Sequence, residues 1–219
     1  MVEHAPQDFP DDAFAKEDSG PDGLFYGTPR FVTHIDDGAI AAVTSLYREL
    51  FPPGGVVLDL MGSWVSHLPS EISYGEVIGH GMNEAELAAN PRYGRRFVQD
   101  LNRDPVLPLG EHAVDAVALC VSVQYLQRPI EVFREVARVL RPAGVVAVTF
   151  SNRCFPTKAV AIWLALGDEQ HQRLVAIYLE RAGLREVEAR TLAEPSADHD
   201  PLWAVIGRKA PATGTASER

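Results

Sequence analysis

An α/β fold built on a mostly parallel sheet is what this 219-residue sequence predicts. Three observations carry that reading. Short continuous apolar runs of strand length, VVLDL (Val56 to Leu60) and VDAVALCVS (Val114 to Ser122) among them, alternate with segments of helical periodicity. Those runs lack apolar/polar alternation, as strands buried on both sheet faces do. The chain then closes with two consecutive alternating segments, REVEARTL and LWAVIGR, which read as a hairpin and so place one antiparallel strand at the C-terminal end.

The elements run in order. IDDGAIAAVTSLYREL (Ile35 to Leu50) sets Ile40, Val43, Leu46, Tyr47 and Leu50 at helical spacing, and PPGG ends it. After VVLDL, YGEVIG (Tyr74 to Gly79) is a second strand, and NEAELAAN is a helix with Asn83 as its N-cap. RRFVQD leads to Asp100. Pro129 to Leu140 carries Ile130, Phe133, Val136, Ala137 and Leu140 on one helical face; Arg141-Pro142-Ala143-Gly144 stops it before the strand VVAVTF (Val145 to Phe150). Lys158 to Ala182 is mostly helical, with a break near Gly167-Asp168. Ligands of such sheets bind at the carboxyl ends of the strands beside the topological switch point. The loops after Leu60, Gly79, Gln99, Cys120 and Phe150 are therefore where chemistry is expected.

Composition narrows the function. The chain is 46% hydrophobic and 23% charged, as a core-forming globular domain is. Lys and Arg number 20 against 30 Asp and Glu, a net charge of −10 with no basic footprint, so no nucleic-acid partner is expected. Two cysteines, Cys120 and Cys154, exclude a disulfide scaffold or a four-thiolate metal site, and seven scattered histidines without an HxxxH or HxH pair predict no metal. No apolar run approaches the ~20 residues that span a bilayer, so no membrane partner is expected. MVEHAPQDFPDD is acidic and polar, unlike a signal peptide, and the cytoplasm is the expected address. Residues 1–23 hold seven acids against Lys16 alone, which predicts a disordered acidic arm; 210–219 predicts a disordered tail.

Taken in order, VVLDLMGSWVSH, VIGHGMNEAEL, QDLNRDPVLPLGEHAVDAV, ALCVSVQYLQ and EVFREVARVLRPAGVVAVTF resemble the class I S-adenosylmethionine-dependent methyltransferases of the type 11 group. Members of that family read VLDLGCGxG, VxGxDxS, DAEALPF, FDxVxxxxxLHH and a helix ending LKPGG before a strand. The resemblance implies a Rossmann-like three-layer methyltransferase fold over 51–209: a mostly parallel seven-stranded sheet with an antiparallel C-terminal strand. Residues 24–50 would be an N-terminal lid segment and helix. It implies S-adenosylmethionine as cofactor and methyl transfer to a small-molecule acceptor by in-line SN2 displacement.

It also implies roles residue by residue. Asp59 would position loop amides and the cofactor's ammonium end, or else cap a helix. Where the family has GCGxG, this chain keeps only Gly62, with Ser63, Trp64 and Ser66 around it; Trp64 would wall the site or belong to the core. The ribose carboxylate position falls on Gly81, so Asn83 or His80 would take the ribose. Asp100 and Leu101 fall where the adenine is held. Ser122 would face the cofactor, and Tyr125 the substrate, together with Arg30, Asn152 and Lys158. In the lid, His34 and Tyr26 are the candidate catalytic groups. Two readings stay open: an altered pocket that binds S-adenosylmethionine, or a catalytically inactive relative that has lost it. Gly62, Gly79 and Gly81, which would let backbone approach a cofactor, favour the first. Cys120, inside a strand, reads as a buried small apolar residue.

Overall fold

The computed structural model describes residues 9–196 and 199–212. Seven strands form one sheet: β1 (Val56–Asp59), β2 (Glu76–Gly81), β3 (Arg95–Val98), β4 (Val114–Cys120), β5 (Leu140–Phe150), β6 (Arg185–Ala193) and β7 (Leu202–Arg208). Their spatial order is β3-β2-β1-β4-β5-β7-β6. The first five pair in parallel, and β7 runs antiparallel to both β5 and β6. The expected mostly parallel sheet with its C-terminal hairpin is therefore present.

The continuous apolar runs bury both faces because successive side chains point to opposite sides. Leu58, Val117, Leu119, Val146 and Val148 face one core with Val132, Phe133, Leu174 and Tyr178. Val57, Ala116, Ala118, Val145 and Ala147 face a second core with Ala39, Val43, Leu46 and Tyr47. Helices α4 (Pro129–Val139) and α6 (Asp168–Arg181) cover the first face, and α2 (Asp37–Leu50) covers the second, giving the three layers. Asp36 caps α2, its Oδ1 accepting from Ala39 N at 2.8 Å, and proline opens α4 as expected. The break near Gly167 separates a short α5 (Ala161–Ala165) from α6. Among the described residues no helix is long and apolar enough to cross a membrane.

The expected disordered arm over 1–23 is corrected for residues 9–23; residues 1–8, like 213–219 of the expected tail, lie outside the described residues. Phe9 and Phe14 meet edge to face at 5.2 Å and both pack on Tyr178. The carbonyls of Ala13 and Ala15 accept from Ile162 N and Ala161 N, and Lys16 bridges to Val160. Two of the acids that suggested disorder are counter-charges. Asp18 and Asp22, the latter opening the short α1 (Asp22–Phe25), pair at 3.0 and 3.1 Å with Lys158, whose side chain is 0% exposed. Lys16 adds a 2.6 Å pair to Asp22.

Candidate active site

A cavity of about 550 Å³ opens at the carboxyl ends of β1, β2 and β4 and beside the loop after β5. It sits at the switch point between β1 and β4, where doubly wound sheets bind ligands, and its volume lies within the range of small-molecule sites.

Its floor is the turn after β1. Asp59 is buried, and its Oδ2 accepts from Ser66 Oγ at 2.5 Å and from Tyr93 OH at 2.8 Å. Burial pushes its carboxyl pKa up against those two hydrogen bonds. Met61 takes a left-handed φ of 57°, a conformation costly for a residue with a Cβ. His80, at the end of β2, fixes that turn: Nδ1 accepts from Met61 N, and Nε2 bonds Gln99 O, both at 3.0 Å. Burial lowers its pKa to about 4, so the ring is neutral at pH 7 with the proton on Nε2. With both ring nitrogens occupied, His80 is a brace between β1, β2 and β3 and has no atom left for a ribose.

The glycines expected to make room for a cofactor make room for the protein itself. A Cβ on Gly79 would come within 2.7 Å of Tyr93 Cγ; one on Gly62 would lie 3.0 Å from Asp59 Cγ. A Cβ on Gly81 would meet Gly62 O at 2.5 Å. Gly81 therefore serves as a close-packing position between β2 and the turn.

The far wall comes from β4 and the turn beyond its carboxyl end. Val121 holds φ 44°, a strained value for a β-branched residue. Ser122 is 7% exposed, and its Oγ has no partner. Tyr125 OH accepts from Phe155 N at 2.9 Å, and burial raises its pKa to about 12. Cys120 lines the cavity as a thiol that burial pushes to about 12, consistent with a passive wall residue. Asp100 caps its own loop, Oδ1 accepting from Asn102 N at 3.0 Å, beside the buried Leu101; both line the cavity.

The roof is the segment from Tyr26 to Ile35. Asn83 caps α3 (Glu84–Ala89), its Oδ1 accepting from Ala85 N and Glu86 N, as its expected cap role requires. Its Nδ2 donates to the carbonyls of Tyr26 and Gly27, so the amide tethers the roof and its expected ribose contact is not available. Trp64 Nε1 donates to Val32 O at 3.1 Å, closing the roof from the other side. Arg30 stacks its guanidinium 4.6 Å from the Phe25 centroid, and its own N–H donates to Glu86 Oε1 at 2.7 Å. Ser63 Oγ donates to Glu86 Oε2 at 2.5 Å. His34 lines the cavity with its ring against Phe155 at 5.5 Å, and desolvation lowers its pKa. Tyr26 OH is buried without a partner, and desolvation raises its pKa far above the usual phenol value.

Two expected substrate contacts are corrected. Lys158 is buried under the N-terminal segment, saturated by Asp18, Asp22 and the carbonyls of Asp18 and Gly20, and is not part of the cavity wall. Asn152 is exposed and outside the wall, because β5 ends at Phe150 and the chain turns away; Arg153 is on the wall instead, paired with Asp200 at 2.6 Å. Sequence reasoning missed Tyr47, Glu86 and Tyr93. Tyr47 reaches the cavity from α2, with its hydroxyl buried beside Cys120 and Thr149.

The wall thus presents two buried hydroxyls, those of Tyr26 and Ser122, without partners among the described residues. It also presents the carboxylates of Asp59, Glu86 and Asp100, none in an ion pair among the described residues. Buried polar atoms call for partners, and carboxylates beside aromatic rings favour a cation. That donor set fits a polar, cationic ligand.

Residues 62–148 match a family model described as a methyltransferase domain. No curated protein matches the sequence. Among solved structures, an S-adenosylmethionine-dependent methyltransferase from Mesorhizobium loti is 17% identical, with 77% of this chain and 98% of that one covered at a TM-score of 0.55. A second, from Aquifex aeolicus, is 18% identical over 78% of this chain and 90% of that one, TM-score 0.56. The [4+2]-cyclase SpnF is 15% identical over 84% and 90%, TM-score 0.61. The likenesses show the fold, which is the Rossmann-like fold of class I S-adenosylmethionine-dependent methyltransferases.

Proposed function

We propose that this chain, with a methyltransferase domain over 62–148 on a class I methyltransferase fold, binds S-adenosylmethionine and methylates a small molecule. The observation that carries the reading is the set of unpartnered hydroxyls and unpaired carboxylates gathered in one cavity at the switch point. When bound, the cofactor would supply an electrophilic methyl on a cationic sulfur. Asp59, Gly62, Ser63 and Trp64 would border its amino-acid end, Asp100 and Leu101 its base, and Ser122 the centre. The Asn83 and Trp64 tethers hold the roof over the cavity.

His34, neutral near pH 7 because its pKa is lowered, accepts a proton from an acceptor that arrives protonated. Tyr26 keeps its proton and donates a hydrogen bond. Arg30, its guanidinium 5.6 Å from the Phe155 centroid, and Tyr125 hold an anionic or aromatic part of the acceptor. A cavity of about 550 Å³ favours a small molecule over nucleic acid or a membrane surface.

Isothermal titration with S-adenosylmethionine and S-adenosylhomocysteine tests the reading. Micromolar binding that is lost in Asp59→Ala supports it. Absence of binding at millimolar ligand removes it and favours a second reading, a catalytically inactive binding protein. One observation supports that second reading: Tyr93 and the Gly62 carbonyl fill the space beside Gly79 and Gly81.

A further inference from the structure

We infer that Glu86 is the acceptor for the vicinal diol of a ribose in this cavity, an inference that rests on the cofactor reading above. Doubly wound folds commonly place an acid at the end of the second strand to accept from ribose hydroxyls. Here β2 ends at Gly81, where a Cβ would lie 2.5 Å from Gly62 O and 3.1 Å from Leu87 Cδ2, so a side chain of any kind requires the turn to move.

The neighbouring polar groups are already engaged. His80 uses both ring nitrogens, and Asn83 uses its carbonyl oxygen twice and its amide nitrogen twice. Asp59 Oδ2 holds Ser66 and Tyr93.

Glu86 lies five residues past Gly81, in the first turn of α3, and its carboxylate is on the cavity wall with Gly62, Ser63, Gly81 and Met82. It is half-buried and receives one donor on each oxygen: Arg30 N at 2.7 Å on Oε1 and Ser63 Oγ at 2.5 Å on Oε2. A carboxylate offers about four acceptor positions, so one remains on each oxygen. Two neutral donors fix its orientation, and among the described residues no cation pairs with it, which leaves a preset bidentate acceptor. A pair of adjacent hydroxyls donates to such a group in the way a guanidinium does, with both bonds charge-assisted.

The test titrates wild type, Glu86→Gln and Glu86→Ala with S-adenosylhomocysteine and with its 2′,3′-dideoxy counterpart. Thermal melts confirm that each variant is folded. Glu86→Gln keeps an acceptor and the side-chain shape should Glu86→Ala loosen the roof. Wild type is expected to prefer the ribose compound by at least ~10-fold, the size of one good charge-assisted pair. Glu86→Ala should abolish that preference and Glu86→Gln, with one acceptor oxygen left, should reduce it, each weakening the ribose compound while leaving the 2′,3′-dideoxy compound nearly unchanged. Retention of the full preference in either variant, or equal weakening of both compounds, overturns the assignment while the cofactor reading stands. Failure of wild type to bind either compound overturns both.

Discussion

Tyr93 OH donates to Asp59 Oδ2 at 2.8 Å while the same ring covers Gly79, where a Cβ would come within 2.7 Å of Tyr93 Cγ. One side chain from the loop before β3 thereby holds the end of β1 and the middle of β2. Asp59 is buried, with Ser66 and Tyr93 as its side-chain donors among the described residues. Removing one hydroxyl from a buried carboxylate costs about 1.5 kcal/mol or more. Tyr93→Phe, which keeps the ring, should lower urea stability at pH 7 by about that amount, with Asp59 titrating higher by NMR. An unchanged midpoint would show that the carboxylate is solvated. Gly79→Ala should be far worse, because the ring has nowhere to go.

His80 makes the pocket floor sensitive to acid. Its folded pKa of about 4 lies below the ordinary histidine value of 6.5, so the unfolded chain binds the proton more readily. Stability from this group is full above pH 6.5 and is lost as pH falls from there toward 4. Protonation would also put an N–H on Nδ1 against the N–H of Met61. Linkage gives a loss of about 2 kcal/mol between pH 7 and pH 5. His80→Leu should lose about 3 kcal/mol at pH 7 by orphaning Met61 N–H and Gln99 C=O, yet show a flatter profile between pH 7 and 5. Urea titrations of both proteins across that window measure the difference. Equal slopes would remove His80 as the source.

The fold was legible because its signals are local and periodic: Leu58 and Val57 fall on opposite cores simply by alternating along β1. The loops after β1, β2 and β4 were likewise placed by the strand ends that precede them. What the sequence did not disclose depends on distances between segments far apart in the chain. Nothing near Asp18 or Asp22 announces a buried lysine 140 residues beyond Asp18, so a folded strap read as a disordered arm. Gly79 and Gly81 look alike whether they admit a ligand, a tyrosine ring or another carbonyl. Glu86 was invisible because solvated acids are common in the first turn of a helix; its one sequence signal is its placement one turn past the Asn83 cap.

Lys158 should act as the anchor of the N-terminal strap and not as a substrate contact. Its ammonium is held by Asp18, Asp22 and two carbonyls. Lys158→Met removes one partner from a buried cluster in which Lys16 still faces Asp22. The expected loss is about 2 kcal/mol, below the ~3–5 kcal/mol of a pair left wholly unpartnered. Hydrogen exchange should accelerate at Ala161 and Ile162, whose amides bond Ala15 and Ala13, before the sheet responds. Uniform acceleration throughout the chain would mean that the strap has no separate opening.

Ser122 offers a test of whether the cavity is built for a ligand at the expense of the ligand-free protein. Its hydroxyl is buried without a partner, directly after the strained Val121. An unsatisfied buried polar atom destabilises a fold by about 1–3 kcal/mol, and such groups persist where function needs them. Ser122→Ala should therefore raise the stability of the ligand-free protein by about 1 kcal/mol. It should also weaken S-adenosylhomocysteine binding by roughly five- to tenfold, the worth of one hydrogen bond. Chemical denaturation and titration on the same preparation read the two effects. A variant that loses stability would mean that the hydroxyl already has a partner within the fold. A variant that gains stability with affinity unchanged would place the ligand elsewhere in the cavity.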